Sequence, residues 1–245
     1  MPAPARAGRP RKHDLPPGAQ LSAPRILQAA LARIDALGLA AFTIRDLARD
    51  LGVVPAAIYW HVPSRDALVS GAIALALADI ACDLPAQAWP LRLRELLRRF
   101  RAALRRHPNL APAVAQEMAY NGHFDPALLD EVLAALDEAR FEGAALVQAY
   151  NVVIAALCGF ATLELSRVPA GAPEAWEAVC RAQIDAVDPR RHPHLAHHRT
   201  ALRNRAFLLR WSSGQQRPLD DAFEAWVDVV IGGLEQRSAA RPGPD

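Results

Sequence analysis

The sequence predicts an all-α fold in two parts, a small N-terminal helical domain followed by a larger helical one. Two observations carry this. Apolar residues recur at intervals of three and four along most of the 245 residues, and no stretch alternates apolar with polar residues between hairpin turns. Caps and breakers then cut the periodic stretches into lengths that suit helices rather than strands.

Residues 1–21 are rich in Pro, Gly and Arg and lack a periodic apolar face, which predicts a disordered basic arm. Ser22 is a candidate N-cap with Pro24 in the first turn. Leu27, Ala30, Leu31, Ile34 and Leu37 follow at helical spacing, and Gly38 stops the helix. Thr43 caps a second, short helix with Asp46 three residues on, and Ile44, Leu47, Ala48 and Leu51 form its inner face. Gly52 ends it. Pro55 opens a third helix running to about His61, and Ser64 caps a fourth that reaches about Ala81. Beyond Trp89-Pro90, helices are predicted at 91–106, 110–120, 126–140, 142–167, 174–186, 199–212 and 219–237. Loops take up His107-Pro108, Asn121-Gly122, Val168–Pro173 and Asp188–His194. Residues 239–245 form a disordered tail. The domains are therefore expected at 22–81 and 82–238.

Composition narrows the function. Just over half of the residues are apolar (52%), enough for a sizeable core. The charged start lacks a following apolar stretch, so it does not read as a secretory signal, and charge interrupts the apolar runs. A cytoplasmic chain without membrane segments is expected. Cys82, Cys158 and Cys180 are far apart and odd in number, as expected of buried, reduced thiols. The net charge is only +2, but Arg6, Arg9, Arg11, Lys12 and His13 cluster without an acid among them. Such an arm beside a DNA-binding domain can enter the minor groove or touch phosphates. The sequence has no nucleophile elbow, phosphate loop, dinucleotide fingerprint or zinc-protease pair, so neither catalysis nor a cofactor is expected.

The informative segment is TIRDLARDLGVVPAAIYWHVPSRDAL, residues 43–68. Two short helices joined by a turn that opens on glycine form the helix-turn-helix plan, in which the first helix braces the second in the major groove. Pro55, Ala56 and Ala57 carry no side-chain donor, so there the second helix can offer apolar contact to thymine methyls.

This segment resembles the tetracycline-repressor (TetR) family, with IYWHVPSRDAL especially characteristic. FATLELSR (160–167) and FEAWVDVVIGGLEQR (223–237) resemble its C-terminal domain. The resemblance implies a transcriptional regulator, most often a repressor, that binds a palindromic double-stranded DNA operator as a homodimer and is released by a small-molecule effector. It implies that Thr43 and Arg45, on the first short helix, lie at the groove. Arg45 is then the best candidate for a bidentate bond to guanine. Pro55, Ala56 and Ala57 meet bases. Tyr59, Trp60 and His61 contact phosphate or pack on the scaffold, and Arg65 lies in a phosphate-contacting region.

In the larger domain, Phe223, Trp226, Val227, Val230, Ile231 and Leu234 form one stripe of the last helix. Tyr150, Ile154, Leu157 and Ala161 form another on residues 142–167. With the resemblance, these predict a four-helix dimer interface; by spacing alone they could face the protomer's own core. Polar residues among apolar ones mark a candidate effector pocket: Glu117, Tyr120, Asn121, Asn151, Thr162 and Glu164, with Phe100 and Phe160 as walls. The family's founding member holds a magnesium–drug complex partly through histidines. Neither Ala78–Leu84 nor Leu110–Tyr120 contains one, which points to a different, mainly apolar or aromatic effector. His192, His194, His197 and His198 leave an alternative, a metal-responsive regulator, although a solvent-exposed loop is the ordinary reading of such a cluster.

Overall fold

The computed structural model describes residues 21–119, 125–165, 174–210 and 218–240. Its described residues contain helices and no strand. The N-terminal unit comprises α1 (Ala23–Leu37), α2 (Ile44–Asp50), α3 (Pro55–Tyr59) and α4 (Arg65–Leu77). The body comprises α5 (Trp89–Arg106), α6 (Ala111–Ala119), α7 (Pro126–Glu138), α8 (Gly143–Leu165), α9 (Glu174–Asp185), α10 (Pro193–Leu202) and α11 (Asp220–Ala239).

The N-terminal boundaries follow the local chemistry. Pro24 lies in the first turn of α1, whereas Ser22 occupies the cap position without a side-chain bond. Ile26, Ala30 and Ile34 form the buried stripe of α1. Leu27 and Leu31 are only half-buried, and Leu37 is exposed. Gly38 ends α1 at φ +84°, where a side chain would be strained. Gly52 does the same between α2 and α3 at φ +67°. Ser64 caps α4 by accepting the Ala67 N–H at 3.0 Å. α1 and α4 cross closely at Gly71, where a Cβ would stand 2.4 Å from Leu27 Cδ2.

In the body, α8 packs against α5, α6, α7 and α11. By length and composition α8 is long and apolar enough to cross a membrane, with mean hydropathy 1.8. That corrects the expectation that charge breaks every apolar run: within α8 the only charge, Glu164, falls one residue from the end. A helix packed against four neighbours needs apolar residues on more than one face.

Three further expectations change. The helix placed at 199–212 is instead α10, Pro193–Leu202, because Pro193 fits a first helical turn and Asn204 leaves the helix at φ +60°. The stripe assigned to the dimer is largely the protomer's own core: Phe223, Val227, Ile231 and Leu234 of α11 are buried, as are Leu157 and Ala161 of α8. The thiols also differ. Cys82 is exposed, and Cys158 and Cys180 are partly covered. Burial pushes the Cys158 thiol up to about 11, which leaves it protonated at neutral pH.

Candidate nucleic-acid interface and effector groove

The two short helices are built to hold one surface outward. Ile44, Leu47 and Ala48 of α2 and Ile58 of α3 are buried. The opposite faces carry Thr43, Arg45, Pro55, Ala56, Tyr59, Trp60 and His61, all exposed; Ala57 is half-buried. Trp60 is 89% exposed, so it is not a core aromatic. Thr43 Oγ1 accepts the Asp46 N–H at 3.2 Å and donates to the Asp46 carboxylate at 2.7 Å, which commits its hydroxyl to the cap. That bond, with the charges of Arg49 and Arg33, holds the Asp46 carboxyl below its ordinary range. Arg33 also pairs with Asp50. The acids of α2 are thus neutralised locally, while Arg45 makes no ion pair or hydrogen bond among the described residues.

Arg65 has an internal task as well. Its guanidinium donates to Leu39 O at 2.9 Å and Phe42 O at 3.4 Å and lies 5.8 Å from the Phe42 ring centre. It therefore ties the start of α4 to the turn before α2.

The N-terminal unit joins the body through polar contacts. Asn109 Nδ2 donates to Ile34 O and Asp35 O, both at 2.9 Å, which satisfies carbonyls at the end of α1. His107 Nδ1 lies 2.8 Å from Asp35 Oδ2. Ser70 of α4 donates to Glu117 of α6 at 2.6 Å.

Those predicted pocket residues that the structure describes have neighbours of their own. Glu117 is held by Ser70. Phe100 is fully buried. Phe160 sits in an aromatic cluster, 5.0 Å from Phe207, 5.3 Å from Phe223 and 5.6 Å from Trp226 between ring centres. Thr162 donates to Cys158 O, and Asn151 is exposed. Tyr120 and Asn121 lie outside the described residues, as does the basic arm. Glu164 is buried and bidentate with Arg101, at 2.7 Å for each bond, and accepts the Leu219 N–H at 2.9 Å. Burial pushes its carboxyl up. Hydrogen bonds from Arg101 and Leu219, with the charges of Arg101 and Arg105, more than offset this and leave it below the ordinary value.

A groove of about 480 Å³ opens between α7 and α8, lined by Pro126, Leu129, Asp130, Leu133, Leu146, Val147 and Tyr150. None of the eight residues proposed from sequence lines it; Tyr150 does, although its spacing had placed it on the dimer stripe. Sequence reasoning missed this groove because apolar spacing on two successive helices does not say whether their stripes close on each other or leave a gap. It also missed Arg101, whose partners lie more than 60 residues away, and Val54, whose position just before Pro55 was an available signal. Among the described residues no group of three or more His, Cys, Asp or Glu could hold a metal; His192, His194, His197 and His198 are all exposed.

A buried brace helix, a glycine turn and an exposed short helix, carried on an all-helical body, define a helix-turn-helix DNA-binding protein. Residues 26–72 match the family of bacterial regulatory proteins named for tetR, and residues 82–238 match the tetracyclin repressor-like C-terminal domain. The chain belongs to the TetR family and is a transcriptional regulator of that family. Similar proteins include the class D tetracycline repressor of Escherichia coli, 32% identical over 92 residues, and the class E repressor of the same organism, 34% identical over 92 residues. Each match covers 36% of this chain, and 42% and 44% of those relatives, so the chain matches less than half the length of either. Two solved structures share the fold. A possible TetR family regulator from Streptomyces coelicolor A3(2) has TM-score 0.68 at 24% identity, covering 88% of this chain and all of that one. ActR from Streptomyces coelicolor in complex with actinorhodin has TM-score 0.64 at 20% identity, covering 87% and 95%.

Proposed function

We propose that this chain is a homodimeric repressor that grips a palindromic operator and releases it when a small molecule binds the body. The observation that carries the DNA reading is the unpaired, exposed Arg45 beside the exposed Pro55, Ala56, Tyr59, Trp60 and His61. Arg45 contacts guanine, and Tyr59 and His61 position the protein on phosphates, as does whatever part of Arg65 is left free by its bonds to Leu39 and Phe42. The arm at 1–21 adds phosphate contacts. The functional division follows the expected boundaries, 22–81 for DNA and 82–238 for effector and dimer.

Dimerisation uses the outward faces of α8 and α11, not the buried stripe. Asn151, Val152 and Ala155 on α8 and Ala225, Val229, Gly232 and Gly233 on α11 are exposed, with Val229 73% exposed. Arg237 of α11 donates to Gln148 of α8 at 2.6 Å, which supports a shared two-helix face. Small residues there permit close approach, and two copies form a four-helix interface. A dimer reads a palindrome through two heads about one DNA turn apart.

The effector is mainly apolar. Its seat is the groove between α7 and α8, where Tyr150 and Asp130 supply polar contacts. Occupation moves α8 and its neighbour α6, and the Ser70–Glu117 bond passes the shift to α4 and so to α3. That an ActR structure is a complex with actinorhodin supports an effector site in this fold. Fluorescence anisotropy with the full chain and upstream promoter fragments at two salt concentrations tests the DNA reading. Sequence-dependent binding that weakens steeply with salt is expected. Absence of binding to every native fragment contradicts it.

A further inference from the structure

Val53 to Ile58 is a run of six residues without one polar side-chain atom, and it contains nearly all of the helix presented to DNA. Ile58 is buried and Val53 half-buried. Val54, Pro55 and Ala56 are exposed, and Val54 is 66% exposed although it is β-branched and apolar. Its backbone accepts the Ala57 N–H at 2.9 Å, so its place is fixed by the first turn of α3. The Thr43 hydroxyl nearby is committed to Asp46. Among Thr43, Arg45 and the run from Val53 to Ile58, hydrogen-bond reading therefore falls to Arg45. A duplex offers one apolar feature in the major groove, the C5-methyl group of thymine.

We propose that Val54, with Pro55 and Ala56, forms a methyl-reading patch, and that Val54 determines specificity for thymine in each operator half-site. This rests on the DNA-binding reading above. The physical basis is desolvation. A thymine methyl against a valine isopropyl group removes apolar surface from water on both sides, and a cytosine at the same place presents an amino group that this patch cannot satisfy. A cytosine carrying a C5-methyl group restores only the apolar half of the match. The patch therefore complements the guanine contact of Arg45, and the half-site contains both a guanine and at least one thymine whose methyl is needed.

The test uses the full-length protein. Selection from random duplexes gives its preferred half-site, and each thymine is then replaced by deoxyuridine, which removes the methyl and leaves base pairing intact. At one or two thymines per half-site the loss is expected to be on the order of four-fold, the worth of one buried methyl group. In Val54→Thr, which keeps the shape and exchanges a methyl for a hydroxyl, and in Val54→Ala, the same deoxyuridine replacement should cost less than two-fold. Val54 is exposed, so both variants should fold, which circular dichroism checks. If the wild-type protein selects a site but no deoxyuridine costs more than two-fold, the methyl patch is overturned. An unchanged thymine penalty in both Val54 variants overturns the role of Val54. If no duplex is selected at all, it is the DNA-binding reading that fails.

Discussion

Arginine has opposite uses in the two halves of this molecule. In the body, α5 carries seven arginines, and six are paired with carboxylates: Arg92 with Glu138, Arg94 with Asp228, Arg98 with Glu224, Arg99 with Glu95, Arg101 with Glu164 and Asp220, and Arg105 with Asp220. The pairs to α11 run in reverse order, from Arg94–Asp228 to Arg105–Asp220, as antiparallel helices require. Among the described residues of the head, Arg33 and Arg49 cancel Asp46, and Arg45 faces outward without a partner. The lesson is that local density of positive charge does not mark a nucleic-acid surface. α5 is the most arginine-rich of the described helices, yet most of its charge is spent on ion pairs, with four arginines holding α11, whereas the single unpaired guanidinium of α2 is free for a phosphate or a base.

The contrast can be broken most forcefully at the buried end of the ladder. Arg101→Ala leaves the Glu164 carboxylate without its main partner in the core and should cost about 3–5 kcal/mol, measured by urea unfolding. The double variant Arg101→Met, Glu164→Leu should recover most of that, because the isolated charge rather than the lost pair carries the cost. The same carboxylate makes stability depend on pH. Glu164 titrates lower in the folded chain than its ordinary value, so its contribution is complete above about pH 4.3 and is lost as pH falls through the folded value. Acid unfolding of Glu164→Gln should show a shallower dependence there than the wild type; an identical dependence counts against the pair. Further out on the ladder, Arg98 and Glu224 are much more exposed despite a well-aligned contact at 2.6 Å and 3.0 Å. Arg98→Ala should therefore cost no more than about 1 kcal/mol by the same unfolding assay.

How far the sequence revealed this difference depends on the range of the interactions. The N-terminal helices were legible because their signals are local: Thr43 and Ser64 cap, Gly38 and Gly52 turn, and Pro55 starts a helix. Thr43 and Asp46 were expected to share a cap and do, although the return bond goes to the hydroxyl. In the body the deciding contacts are long-range. Arg105 and Asp220 lie 115 positions apart, and nothing in the periodicity of α5 reveals which acids meet it. The stripe of α11 had the right spacing for either a partner or the core. Only burial of Phe223, Val227 and Ile231 assigns it to the core and leaves Val229 outside. Glu164 looked like a pocket residue for the same reason: a carboxylate in an apolar helix signals a partner without saying whether that partner is a ligand or Arg101.

Operator affinity of Arg45→Ala and Arg98→Ala, measured side by side on the same promoter fragment, separates the two uses of arginine. Both variants remove one exposed guanidinium, and both should remain folded. The account predicts a loss of about 1–3 kcal/mol for Arg45→Ala, with relaxed preference at one base pair per half-site, and an affinity within two-fold of wild type for Arg98→Ala. Equal losses in the two variants, or no loss in Arg45→Ala, would contradict the claim that the unpaired arginine reads the DNA and the paired one does not.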